Sequence, residues 1–201
     1  MDAFNLLKTD HRKVEELFSQ LESASGQAKL RVFEQIKMEL DLHAHIEETI
    51  FYPALEKPKP THDLTLEAYE EHDVVKKLLQ QLSRAKTAND EWEAQAKVLQ
   101  ENVEHHVEEE ENELFEKAQE ALSEDQIEAL GEEMAAEKER KQSRASKKSG
   151  AKKSGSKSAS KSKSASTAPK RARASKKSGS NSSKSSGSKS RSKKSAKKSR
   201  R

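Results

Sequence analysis

The chain has 201 residues, 31% hydrophobic and 37% charged, which is too polar for a single core spread over the whole length. Its net charge of +4 hides a division: residues 1–142 carry 17 Lys and Arg against 35 Asp and Glu, whereas residues 143–201 carry 22 Lys and Arg and no acid. There is no cysteine, which excludes disulfides, thiolate metal sites and cysteine catalysis.

No run approaches the roughly 18 apolar residues of a membrane helix. The stretch MDAFNLLKTDHRK contains no apolar segment of signal-peptide length, so a soluble cytoplasmic protein is expected. All eight Phe, Trp and Tyr lie at or before Phe115, so only the acidic part has the means to build a core.

Four segments show helical spacing of apolar residues. The first spans about 2–23, with Phe4, Leu7, Val14, Phe18 and Leu21 on one face, and Ser25-Gly26 breaks it. The second spans about 27–55 with Phe33, Ile36, Leu40 and Ile50; Pro53 is expected to kink its end and KPKPTHD to stop it. The third spans about 63–85 with Ala68, Val75, Leu79 and Leu82. The fourth opens near Asn89, a good N-cap, and runs to about 118 with Trp92, Leu99, Val103 and Leu114. Ser123-Glu-Asp-Gln126 fits a capping box for a short fifth helix to about Lys141. No strand pattern appears.

The expectation is an all-α fold: an up-down-up-down four-helix bundle over residues 1–120, a helical extension over 121–142, and a disordered basic tail over 143–201.

The apolar stripes are interrupted by polar residues at regular places. In the first helix the gap between positions 7 and 14 holds His11. In the second, the stripe 33, 36, 40 continues through His43 and Glu47 to Ile50. In the third, Ala68 is followed by His72 and Val75. In the fourth, Leu99 and Val103 lead to His106, Glu110 and Leu114. A single inward histidine is usually a hydrogen-bonded core residue. Four of them with two inward carboxylates are different, because burying Glu47 and Glu110 without a cation costs several kcal/mol each.

Imidazole with carboxylate and no thiolate suits iron and is compatible with zinc or manganese. Six side chains exceed one tetrahedral zinc, whereas two metals bridged by the glutamates use all six. His45 is two positions off the stripe, His62 lies in a connection and fits a cap, and Glu48, Glu109 and Glu111 read as a solvated acidic face. Tyr52 and Tyr69 have two readings, core packing first and a place near the metals second.

The segments TDHRKVEELF, HAHIEETIFYPAL, EEHDVVKKLL and HHVEEEENELF together resemble the four helices of the hemerythrin HHE cation-binding domain, over about residues 1–120. The resemblance implies two non-haem iron ions at His11, His43, Glu47, His72, His106 and Glu110. It also implies a protein that binds, senses or processes oxygen, nitric oxide or peroxide. Oxygen-carrying members have a second histidine one turn after the position of His72; here that position is Lys76. The set then has four histidines, as in bacterial members linked to iron–sulfur repair and nitric oxide.

An ammonium has no lone pair, so Lys76, expected to face the metals, leaves one iron coordinatively open. His105 with Glu110, or His106 with Glu111, gives the five-residue spacing of the carriers; the apolar stripe favours His106 with Glu110.

The tail has 22 cations and 22 serines in 59 residues, with no aromatics and no acids. That composition suits phosphate neutralisation rather than base reading, so a nucleic-acid partner and a nucleoid association are expected. Two alternatives stand beside the di-iron reading. One is an iron or oxygen store. The other is a nucleoid-associated DNA-binding protein whose bundle is only a scaffold.

Overall fold

A computed structural model describes the backbone of residues 1–154 and the side chains of residues 1–144. Helix α1 (Ala3–Ser23) opens on Asp2, whose carboxylate accepts the N–H of Asn5. It stops at the Ser25-Gly26 break, where Gly26 takes φ 55°, a conformation glycine adopts without a Cβ clash. Helix α2 starts as Gln27–Ile46, widens into a π-helical turn over Glu47–Phe51, and finishes as Tyr52–Leu55. Helix α3 is Lys59–Leu82. Helix α4 repeats the pattern of α2: Asp90–Glu109, a π-helical turn over Glu110–Leu114, then Phe115–Ala121. Helix α5 is Glu124–Ser154.

The chain is all-helical as expected, with no strand among the described residues. No described helix is long and apolar enough to cross a membrane. Asn89 caps α4 by accepting the N–H of Trp92 at 3.0 Å. Ser123 and Gln126 exchange the two bonds of a capping box at the start of α5.

The boundaries differ from expectation in three places. Helix α3 starts at Lys59 rather than near residue 63, because Pro60 falls in its first turn, where a missing N–H costs nothing. Glu47 is followed inward by Phe51 and Tyr52 rather than by Ile50, because the π turn adds one residue to the register. Helix α5 extends to Ser154, into the segment assigned to the disordered tail; Ala and Lys propagate a helix already nucleated and packed upstream. The disorder expected after Ser154 lies outside the described residues.

Helix α1 packs on α2 and α3 on α4, as the short connections of an up-down-up-down bundle require, while α5 packs on α1 and α2. The interior is apolar at both ends. One cluster joins Phe4, Leu7, Ile46, Phe51, Phe115 and Met134; the other joins Phe18, Phe33, Ile36, Leu79, Trp92 and Leu99. Between them lies a layer of buried polar side chains.

Candidate metal centre

The six residues singled out by the stripes all fall in this layer. His11, His43, His72, His106, Glu47 and Glu110 are each 6% exposed or less. Helix geometry explains the pairs: His43 and Glu47, and likewise His106 and Glu110, are four apart and share a face. The Nε2 atoms of His11 and His43 lie 3.2 Å apart, and those of His72 and His106 also 3.2 Å apart. Glu47 reaches both pairs, with Oε1 3.1 Å from His43 Nε2 and Oε2 3.4 Å from His72 Nε2. Glu110 Oε2 is 3.2 Å from His11 Nε2.

Ligand atoms of His11, His43, Glu47 and Glu110 lie within 4.8 Å of one another, as do those of Glu47, His72 and His106. His105, the other candidate in α4, is 63% exposed and turns to Glu109 and Glu71 on the surface.

Each histidine also has a carboxylate on its Nδ1 side. His11 Nδ1 donates to Glu111 at 2.7 Å, His72 Nδ1 to Glu48 at 2.8 Å, and His106 Nδ1 to Glu71 at 2.7 Å. His43 Nδ1 lies 3.7 Å from Asp10. A carboxylate only accepts, so in the three bonded histidines Nδ1 carries the proton and Nε2 turns its lone pair to the centre. The four contacts form a ring: Asp10 of α1 faces the histidine of α2, Glu48 of α2 that of α3, Glu71 of α3 that of α4, and Glu111 of α4 that of α1.

Glu48 and Glu111 are therefore not a solvated face, as the sequence had suggested; each orients an imidazole. Asp10 and Glu71 were not anticipated, though adjacency to His11 and His72 is a visible signal.

Two facing lone pairs at 3.2 Å and two buried carboxylates need a cation. Both oxygens of Glu47 and Oε2 of Glu110 are buried without a hydrogen-bond partner, an arrangement that is costly without one. Burial, and then the Glu110 charge, push Glu47 well above the ordinary carboxylate range. For Glu110 burial also acts upward but is outweighed by the neighbouring His11, His106 and His43 imidazoles, which take it down to about 2. Burial lowers His72, with Glu48 opposing. On His106 burial acts downward, but Glu71 and the two central glutamates prevail and raise it. These opposed shifts are what carboxylates and imidazoles do when they compensate one another in place of a metal. The residues present fit a pair of metal ions.

Both π turns begin at a central glutamate. Tyr52 N–H donates to the Glu47 carbonyl and Phe115 N–H to that of Glu110, each five residues on. The wider turn brings two successive residues inward after each glutamate. Tyr52, read from the sequence as core packing, places its hydroxyl 3.3 Å from His72 Nε2 and 3.4 Å from Glu110 Oε1. Burial, with the Glu110 and Glu47 charges, raises its pKa well above normal, so the phenol keeps its proton. Tyr69 packs edge-on against Tyr52.

A cavity of about 250 Å³ opens beside the four histidines, walled on its other side by Val14, Leu40, Val75, Leu79 and Val103. Lys76 was expected to face the metals; it lines this cavity, but its side chain is 43% exposed and Nζ binds Glu48 at 2.5 Å, because the nearest anion is that carboxylate. His45 bonds Glu137 of α5, and His62 donates to the Glu56 carbonyl beyond the end of α2, as a cap does.

An antiparallel bundle with an interior plane of histidines and carboxylates, each imidazole backed by an acid, defines a metal-binding helical protein. The chain belongs to the hemerythrin HHE cation-binding domain family, whose model matches residues 2–118. It is similar to a DNA nickase of Nostoc sp., 32% identical over 141 residues; the match takes in 70% of this chain but only 40% of the nickase, so the chain spans less than half of that relative. It is also similar to an uncharacterized protein of Mycobacterium tuberculosis, 29% identical over 70% of this chain and 87% of the relative. Among solved structures, a hemerythrin HHE cation-binding domain-containing protein from Mycobacterium kansasii superposes with a TM-score of 0.63 at 28% identity, over 70% of this chain and 86% of that one.

Proposed function

We propose that the bundle holds two non-haem iron ions and binds, senses or processes oxygen, nitric oxide or peroxide beside them. His11 and His43 would hold one ion, His72 and His106 the other, with Glu47 and Glu110 shared between them. The carrying observation is the convergence of four imidazole Nε2 atoms and the buried, unbonded oxygens of Glu47 and Glu110 on one layer. When bound, the iron pair supplies reversible electron transfer to a small ligand.

The chain's own residues do the rest. Glu111, Glu48 and Glu71 hold the imidazoles of His11, His72 and His106 in one tautomer. The valines and leucines of the cavity exclude water around a small apolar ligand. Tyr52 holds a proton at its hydroxyl, within reach of His72 and Glu110. Metal analysis with an ultraviolet–visible spectrum of anaerobically purified protein tests this reading. About two irons per chain and a new absorption band on adding air, peroxide or nitric oxide are expected; an iron-free protein ends it.

A second reading concerns location. The tail carries 22 cations and no acid, and a relative bears the name DNA nickase. We infer that residues 143–201 tether the bundle to DNA with little sequence preference, giving a cytoplasmic, nucleoid-associated protein. With about ten phosphate contacts, log affinity should fall against log salt with a slope near −9. A gel-shift titration of full-length protein and of protein ending at residue 142, at two salt concentrations, decides it. Loss of binding with the tail and an unchanged iron spectrum are expected; equal binding by both proteins removes the role.

A further inference from the structure

Three of the four histidines are held by a carboxylate at 2.7–2.8 Å. His43 is the exception. The acid atom on its Nδ1 side, Asp10 Oδ2, is 3.7 Å from Nδ1, beyond hydrogen-bond length, and both atoms are buried without a hydrogen-bond partner. The other oxygen of Asp10 is taken by Lys138 Nζ. Lys138 belongs to α5, beyond residues 2–118 matched by the family.

Its approach depends on tight docking of α5. A Cβ at Gly131 would lie 2.4 Å from the Met1 carbonyl oxygen, so only glycine allows this contact, and Met134 one turn on is fully buried. Lys138 itself is 18% exposed, so its ammonium is partly desolvated against Asp10.

We infer that Lys138 is a positioning residue: from α5 it holds Asp10 short of His43, and so makes the His11–His43 half of the centre the half that yields its metal first. This rests on the two-ion reading above. Two physical effects act in the same direction. A carboxylate bonded to Nδ1–H raises the basicity of the imidazole, and Lys138 diverts that carboxylate. The ammonium also adds a positive charge near the bound cations. Both weaken the ion at His43; on the other half Lys76 also stands beside an acid, Glu48, yet Glu48 and Glu71 still bond their histidines directly, so the lost Nδ1 bond is what sets His43 apart. A rival account makes the Lys138–Asp10 pair only a pin for α5. A pin, once removed, loosens the centre and speeds metal release, the opposite sign.

The test uses the full chain loaded anaerobically with ferrous iron and challenged with excess ferrous chelator. Wild type should hold two ions and release them in two phases of one ion each. Lys138→Gln should slow the fast phase about threefold or more, a modest share of the 10–100-fold that such second partners control, and leave the slow phase alone. Lys138→Arg should restore wild-type rates. Asp10→Asn should speed the fast phase, and Lys138→Gln added to it should slow that phase by clearly less than it does in the wild-type background. A fast phase unchanged or accelerated by Lys138→Gln, or an equal slowing in the Asp10→Asn background, overturns the inference. A wild type holding two ions but releasing them in a single phase also overturns it. A wild type that holds fewer than two ions fails at the earlier step, the di-iron reading, and is recognised as such from metal content alone.

Discussion

Glu47 on α2 and Glu110 on α4 each stand four residues after a histidine and open a π turn, and each is followed five residues later by a buried aromatic. On α2 that aromatic is Tyr52, which brings a hydroxyl to the His72–His106 side. On α4 it is Phe115, which stacks on His11 with ring centroids 6.4 Å apart and offers no polar atom. The two sides differ again beyond the imidazoles, where Glu48 and Glu71 bond their histidines closely and Asp10 stands off from His43. One local device, used twice, therefore gives the layer two halves with unequal surroundings: one polar, with its histidines tightly held, and one apolar and looser.

The comparison breaks most completely if a histidine of the tightly held pair is removed. His72→Ala or His106→Ala should drop iron from about two per chain to below one and lower thermal stability, because metal binding contributes to folding. Metal analysis and thermal unfolding check this, and unchanged iron in both variants contradicts the assignment. A smaller change sharpens it. Tyr52→Phe should leave iron content intact and cost only about 1 kcal/mol of stability. It should shorten the life of an oxygen or nitric oxide complex several-fold, as stopped-flow absorbance would record. Adding Phe115→Tyr should not restore that lifetime, since the new hydroxyl lies on the other side. An unaltered lifetime in Tyr52→Phe separates the phenol from the bound ligand.

The inward positions were legible because helix periodicity is a one-dimensional signal: a histidine or glutamate in an apolar stripe must point where the stripe points. His11, His43, Glu47, His72, His106 and Glu110 all follow from that rule; the caps at Asn89 and Ser123 were legible separately, from side chains that accept the first free N–H groups of a helix. The ring acids do not, because they sit on helix flanks, where sequence gives no distinction between a solvated carboxylate and one facing a neighbouring helix. Glu48 and Glu111 look like Glu109, which does remain near the surface. Tyr52 packs in the core as read, but the reach of its hydroxyl was hidden for a related reason: a π turn shifts the register by one residue, and stripes counted at 3.6 per turn run past it to Ile50. Lys76 stands one turn from His72 in the helix but leans outward to Glu48, a choice fixed by charge rather than by period.

The ring has a consequence for how such a sequence can change. The acid beside each ligand in the chain serves the ligand of the next helix: Asp10 adjoins His11 but faces His43, and Glu71 adjoins His72 but holds His106. A helix exchanged for that of a distant relative thus carries its inward histidine intact and disturbs two imidazole orientations, its own and its neighbour's. The heritable unit of the centre is the four helices together, and a recombinant built by swapping α1 or α3 alone would keep every inward histidine and glutamate while inheriting mismatched supports.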